Sequence, residues 1–177
     1  DVNRRTAVRD RLIHGKRDRY PVRRPVAERY FTAARGLDVH PDGEPPEFFL
    51  GEAAIHEAAI WLEAAGLGAT RPLIAVAPGA AHATKRWPVD HWRVLVDRMV
   101  EDGMDVVVVG GADDVDIAGT VAAGRGGRSR TAAGLFGLQA TGAALRQAKA
   151  LVSGDTGVMH MAAGVGTPVV ALFGPTV

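Results

Sequence analysis

The sequence predicts an α/β protein with a doubly wound, Rossmann-like parallel sheet. From residue 73 onward, apolar runs of strand length alternate with amphipathic segments of helix length. The run Val106–Val109 is four valines without a polar interruption, which is typical of a strand covered on both faces by helices. Glycine-rich or charged turns follow several of the runs, and such sheets bind ligands beyond the carboxyl ends of their strands.

The first part of the chain carries fewer signals. Residues 1–24 are charged and interrupted by proline, so no element is predicted there. A helix is predicted at Val26–Arg35, with Val26, Tyr30, Ala33 and Ala34 on one side and Gly36 at its end. Residues 38–46 are rich in proline and glycine and predict a linker.

The next predicted elements lead into the sheet. An apolar run at residues 48–50 precedes a helix at Glu52–Ala65, whose buried face is predicted at Ile55, Ala59, Leu62 and Ala65. Because apolar or β-branched residues predominate in each segment, strands are predicted at Leu73–Ala77, Asp105–Val109, Arg130–Ala133, Ala150–Ser153 and Val169–Phe173. Further helices, with apolar residues at helical spacing, are predicted at Asp90–Asp102, Val115–Ala123, Ala143–Lys149 and Val158–Val165.

Composition narrows the class of protein. A chain of 177 residues with 47% hydrophobic residues is long enough for one domain with a sizeable core. The absence of cysteine excludes disulfides, thiolate catalysis and cysteine-bound zinc. No apolar run reaches the length of a membrane span. The chain begins at Asp1 and ends just after a predicted strand and turn, so we expect a piece of a longer protein.

The net charge of +1 is unevenly distributed. Residues 1–35 carry a net charge of +7 and the remaining residues a net charge of −6. The basic segment predicts either peripheral contact with an anionic membrane or simply a solvated, arginine-rich region. It shows no recognition-helix pattern, so no nucleic-acid partner is expected.

The segment from Ser153 to Ala163 is the most informative motif. It places Asp155, Thr156, Gly157 and His160 where a strand is expected to end and a helix to begin, and helix N-termini favour anions. We interpret it as a phosphate-binding turn. From the residues alone, Asp155 or Thr156 could equally be a helix N-cap, and His160 could be a core histidine.

A second motif follows the first strong strand. Gly79 begins a turn that leads to Lys85, Arg86 and Trp87-Pro88, where a basic side chain can neutralise a diphosphate. It is not a Walker motif, because Thr84 stands where glycine is required. The bland alternative is a solvated basic pair, with Trp87 packing inward and Asp90 capping the next helix.

A third motif, residues 110–114, closes the second strong strand. Asp113 in this loop could bind ribose hydroxyls, or it could cap the following helix. The third glycine of a dinucleotide fingerprint is missing. Histidines and acids lack metal-ligand spacing, so no metal is expected.

Four motifs follow one another along the chain: Pro-Gly-Ala, Lys-Arg-Trp-Pro, Gly-Asp-Thr-Gly-Val-Met-His and Leu-Phe-Gly-Pro-Thr. In this order and spacing they resemble the donor-binding half of glycosyltransferase family 9, the bacterial heptosyltransferases of lipopolysaccharide core assembly. The resemblance implies the C-terminal domain of a GT-B glycosyltransferase whose N-terminal domain is largely missing. Residues 1–46 would then be the tail of that N-terminal domain and a linker, and residues 47–177 the nucleotide-sugar domain.

The resemblance also implies function. It implies inverting transfer of a heptose from an ADP-activated donor to a lipopolysaccharide core or another lipid-linked acceptor, without a cofactor, in the cytoplasm or at the inner face of its membrane. The general base is expected in the missing N-terminal domain, so this chain alone should be inactive. Alternatives are a UDP-sugar epimerase of the same architecture and a non-catalytic nucleotide-binding module.

The implied site residues fall into two groups. Lys85 and His160 are expected to be catalytic, with Arg86 left unassigned. The donor-binding residues are expected to be Gly79, Thr84, Lys85, Asp113, Asp155, Thr156, Gly157, Met159 and His160. The segment 134–138 is expected to be scaffolding.

Overall fold

The computed structural model of the chain describes residues 30–174 together with Gly15 and Glu28. The chain divides into two compact units, Asp1–Pro45 with Val177, and Pro46–Thr176. In the first unit, the described part of the helix predicted at Val26–Arg35 passes through a turn into a short 3-10 helix, Arg35–Leu37. Tyr30, placed on the apolar side of that helix by the sequence pattern, is 55% exposed. The basic residues at positions 4–24 lie outside the described residues.

The second unit contains a five-stranded parallel sheet in the order β3-β2-β1-β4-β5. Its strands are β1 (Leu73–Ala77), β2 (Asp105–Val108), β3 (Ser129–Thr131), β4 (Ala150–Gly154) and β5 (Val169–Leu172). Its helices are α1 (Glu52–Ala64), α2 (Val89–Glu101), α3 (Val115–Ala122), α4 (Leu138–Gln147) and α5 (Gly157–Gly164). The prediction of a doubly wound, Rossmann-like sheet is confirmed.

Helices cover both faces of the sheet, as the uninterrupted apolar strands predict. Successive residues of β1 point to opposite faces, so Ala75 packs with Leu145 of α4 in one core cluster and Val76 packs with Trp92 of α2 in the other. Every residue of β1 and β2 is buried, including Asp105 at the start of β2. Burial on two faces gives these strands a near-continuous apolar sequence.

Two helices differ from their predictions. Helix α4 begins at Leu138, five residues before the predicted Ala143, and it buries Thr141 and Gly142, whose residue types gave a weak helical signal. Gly142 is needed because a Cβ there would lie 2.9 Å from Phe48. The buried residues of α1 are Ala54, Ala58 and Leu62. Of the predicted face, Leu62 is thus buried, Ile55 and Ala65 pack against the core while partly buried, and Ala59 is half-buried. The other predicted helices and strands of the second unit begin and end within one or two residues of the observed ones.

The strand order places a topological switch point at β1. This strand pairs with β2 on one side and β4 on the other, with Val76 opposite Val108 and Ala77 opposite Ser153. The loops that leave these three strands therefore emerge at the same edge of the sheet. In open α/β sheets this edge is where ligands bind.

Candidate functional site

A cleft of about 510 Å³ opens at this edge, between the loops that follow β1, β2 and β4. Its walls combine small residues, a few apolar side chains, three ionisable groups and the start of α5. The lining residues are Ala77, Gly79, Ala80, Ala81, Arg86, Val109, Gly110, Gly111, Ala112, Asp113, Asp114, Leu138, Thr156, Gly157, Val158 and Met161. The lining has little bulk, so a ligand can approach the backbone closely.

The turn after β4 leaves the first amides of α5 without a capping side chain. Thr156 is the N-cap residue, but its hydroxyl makes no capping hydrogen bond. Instead Thr156 Oγ1 lies 3.1 Å from Oγ of the fully buried Ser153, whose own hydroxyl donates to the Gly154 carbonyl at 2.9 Å. Since each hydroxyl carries a single proton, Thr156 must donate to Ser153. The first backbone N–H groups of α5 remain available to an anion.

An ion pair joins the loops that follow β1 and β4. The Lys85 ammonium donates to Asp155 Oδ2 at 2.5 Å and also lies 3.4 Å from the Asp155 carbonyl oxygen. Both side chains are partly exposed, at 25% for Lys85 and 30% for Asp155. The pair connects residues 70 positions apart and lies next to the uncapped start of α5. It therefore brings a cation to the turn that the sequence predicts to bind phosphate.

Two glycines allow the Lys85 loop to cross the ends of β4 and β5. A Cβ on Gly154 would lie 3.0 Å from the Lys85 carbonyl oxygen, and a Cβ on Gly174 would overlap the Thr84 carbonyl oxygen. The glycine of the Phe-Gly-Pro sequence thus makes room for the loop that carries Lys85. This close approach explains how motifs far apart in sequence form one site.

Comparisons with known proteins establish the family of the chain. The model of glycosyltransferase family 9 (heptosyltransferase) matches residues 9–177. The chain belongs to glycosyltransferase family 9. It is 35% identical to lipopolysaccharide heptosyltransferase 2 of Salmonella typhimurium over 115 residues, covering 62% of this chain and 33% of that protein. It is 40% identical to lipopolysaccharide heptosyltransferase 1 of Pseudomonas aeruginosa over 108 residues, covering 59% of this chain and 29% of that protein.

Solved structures place this family 9 chain on the same fold. A family 9 glycosyltransferase from Veillonella parvula superposes with a TM-score of 0.78 at 28% identity, covering 88% of this chain and 45% of that one. The ADP-heptose heptosyltransferase II of Escherichia coli superposes with a TM-score of 0.69 at 30% identity, covering 85% and 48%. The chain spans about a third of the length of these curated relatives and just under half of these solved chains.

Two adjacent acids lie on the β2 side of the family 9 cleft. Asp113, the predicted ribose ligand, is exposed and lines the cleft. Asp114 lies deeper, because its Oδ2 accepts a hydrogen bond from the Gly111 amide at 3.0 Å and its carboxylate occupies the space that a Cβ on Gly79 would need. Both acids therefore face the cleft. The sequence pattern of two adjacent aspartates gave no reason to prefer Asp114.

The predicted residues divide between the wall of the cleft and its surroundings. Gly79, Asp113, Thr156 and Gly157 line it, whereas Lys85 and Asp155 form the adjoining ion pair. Outside its lining are Thr84 and His160, both exposed, and the half-buried Met159. Helix α5 starts at Gly157, so Val158 and Met161 share the face toward the cleft. Leu138, from the segment expected to be scaffolding, also lines the cleft.

Two further features bear on the chemistry. Among the residues that the structure describes, no group of three or more histidines and carboxylates is arranged to hold a metal ion. Within the same residues, no helix combines the length and the apolarity that crossing a bilayer requires.

Proposed function

We propose that this chain binds the nucleoside diphosphate of an ADP-activated sugar, and that the whole protein transfers a heptose or a related sugar to a lipopolysaccharide core or another lipid-linked acceptor. The observation that carries the proposal is the Lys85–Asp155 pair beside the uncapped start of α5, at the switch point of the sheet. Membership of family 9 supports it, as does the 30% identity to an E. coli enzyme whose name specifies ADP-heptose.

The proposed chemistry centres on the leaving diphosphate. As the bond between the anomeric carbon and the diphosphate oxygen breaks, negative charge grows on the diphosphate. The free amides of α5 and the Lys85 ammonium are arranged to stabilise that charge at one end of the cleft. Gly79 and Gly157 add no side chain, so the phosphates can approach the backbone.

The remaining predicted residues keep their proposed roles. Asp113 binds ribose hydroxyls, and Thr84, Met159, Asp155 and Thr156 contact the donor. His160 assists departure of the diphosphate, as an imidazolium donor. His160 and Met159 lie on α5 outside the lining of the cleft, so a small adjustment at the start of this helix accompanies donor binding in this proposal.

Inversion requires a general base on the opposite face of the sugar. The base takes the proton of the acceptor hydroxyl while the oxygen of that hydroxyl bonds to the anomeric carbon. We propose that this base belongs to the N-terminal domain of the whole protein. The whole protein would then work without a cofactor, in the cytoplasm and peripherally at the inner face of the membrane.

Titration calorimetry with ADP, UDP and GDP tests the nucleotide part of the proposal. The expected result is measurable binding of ADP, tighter than that of UDP and GDP. Tighter binding of UDP would contradict the assignment of an ADP-activated donor. For the whole protein, transfer of labelled sugar from ADP-heptose to a lipopolysaccharide core acceptor is expected, and release of an isomerised nucleotide sugar without acceptor would contradict transfer.

A further inference from the structure

Arg86 is a cation of the cleft wall and has no role in the sugar transfer proposed above. Its Nε donates to the Ala80 carbonyl at 2.7 Å, so the side chain folds back across the loop that follows β1. This bond fixes the guanidinium and leaves its other N–H groups free to bind a ligand. Among the described residues, no carboxylate lies within ion-pair distance of Arg86.

The neighbouring Lys85, unlike Arg86, already has an anionic partner. Its ammonium is already bound to the side chain of Asp155, and the Asp155 carbonyl oxygen is also within reach. A diphosphate that recruits Lys85 must therefore compete with a carboxylate. Among the residues that the structure describes, Arg86 faces no such competitor, and its planar group matches the spacing of phosphate oxygens.

The charges of the cleft are divided between its two sides. Its ionisable lining residues are Arg86, Asp113 and Asp114. The two acids belong to the loop after β2, whereas Arg86 follows Lys85, whose backbone lies against the end of β4. Asp114 reaches across to Gly79 of the loop after β1, so a diphosphate near the two acids would be repelled, whereas one near Arg86 and the start of α5 would be attracted.

We infer that Arg86 binds the diphosphate of the donor directly and, together with the acids on the β2 side, fixes the direction in which the nucleotide enters the cleft. This inference rests on the proposed function, because the ligand is the diphosphate of the donor. It gives the adjacent basic residues separate tasks. Arg86 recognises the diphosphate on entry, and Lys85 is released from Asp155 as charge grows on the leaving group.

The test compares ligands that differ in phosphate content. Calorimetry would measure ADP, AMP and adenosine, and UDP with uridine, against the unaltered chain, Arg86→Ala and Arg98→Ala. Arg98 is a matched control, an exposed arginine near the end of α2 remote from the carboxyl edge. Arg86→Ala is expected to weaken ADP binding roughly 10- to 100-fold and to leave adenosine binding unchanged. Arg98→Ala is expected to change neither.

The ratio of ADP affinity to adenosine affinity distinguishes two roles of Arg86: a direct contact with the phosphates, and a bond that only holds its own loop in place. If Arg86→Ala weakens both ligands equally, or neither, the inference is overturned. If the unaltered chain prefers UDP, the ADP-sugar assignment fails, and Arg86 is still judged by the ratio of UDP to uridine. If the unaltered chain binds no nucleoside diphosphate, both proposals fail.

Discussion

Asp105 lies at the amino end of a strand and Asp155 just beyond the carboxyl end of another strand of the same sheet, and the two acids differ in burial and in their bonding partners. Asp105 begins β2 and is 2% exposed. Its Oδ2 accepts a hydrogen bond from the Gly68 amide at 3.0 Å, and its Oδ1 lies 3.5 Å from Arg128 Nε. Asp155 follows β4, is 30% exposed, and is bound to Lys85 beside helix amides that have no cap.

The difference shows how one fold separates stability from binding. At the amino edge, Arg128 donates hydrogen bonds to the carbonyls of Val100 and Met104 as well as to Asp105. The buried Asp105 carboxylate is thereby connected through Arg128 to the end of α2 and to the loop before β2. At the carboxyl edge, polar groups remain partly hydrated and incompletely bonded. A group whose bonds are complete stabilises the fold, whereas a group whose bonds are incomplete can bind a ligand.

The largest effect on stability is expected at the amino edge. Asp105→Ala should lower the free energy of unfolding by about 3 kcal/mol, because it leaves the Gly68 amide and the Arg128 guanidinium without their buried acceptor. Urea unfolding measures this. The exposed acid Glu57 is the control, since Glu57→Ala should change the free energy by no more than about 0.5 kcal/mol. Similar losses of stability for Asp105→Ala and Glu57→Ala would contradict a structural role of Asp105.

A smaller loss is expected where the Lys85 loop crosses the sheet. Gly174→Ala places a Cβ on the Thr84 carbonyl and should cost about 2 kcal/mol of stability through overpacking. It should also weaken ADP binding, since the displaced loop carries Lys85 and Arg86. Gly119→Ala is the control, because a Cβ on this glycine of α3 meets no atom within 4 Å. Unfolding and calorimetry measure both effects, and unchanged ADP affinity in Gly174→Ala would argue against the crossing as a determinant of the site.

The ion pair at the carboxyl edge should matter less for stability. Lys85→Met and Asp155→Asn should each change the free energy of unfolding by less than about 1 kcal/mol, because both partners are partly solvated. Their effects on ADP should differ. Lys85→Met removes a cation and should weaken binding about tenfold, or ~1.4 kcal/mol, whereas Asp155→Asn frees the lysine and should not weaken it. A stability loss as large as that of Asp105→Ala would instead show that the Lys85–Asp155 ion pair serves to stabilise the fold.

The smallest effect on stability is expected at Gly157. This first residue of α5 has open space where a Cβ would lie, so Gly157→Ala should leave the free energy of unfolding within about 0.5 kcal/mol of its original value. ADP binding should nevertheless fall several-fold, because the Cβ would enter the space proposed for the diphosphate. Gly119→Ala should leave ADP affinity unchanged. If Gly157→Ala binds ADP normally, the diphosphate does not approach this backbone.

Much of the fold could be predicted because local residue patterns determine it. The valines of β2 and the apolar run of β1 require burial on two faces, and the turn from Ser153 to Gly157 joins a strand to a helix in sequence. These features depend on neighbouring residues, so the alternation of strands and helices and the position of the turn after β4 followed from the sequence alone.

Tertiary structure decided the contacts that complete the site. The pairing of Lys85 with Asp155, the fold of Arg86 onto Ala80, the deeper position of Asp114 and the choice of Met161 over Met159 in the cleft wall all depend on strand order and loop crossing. No spacing rule relates residues 70 positions apart, because their distance is set by which strands are neighbours in the sheet. The sequence thus determined which residue types reach the carboxyl edge, and packing determined which of them meet.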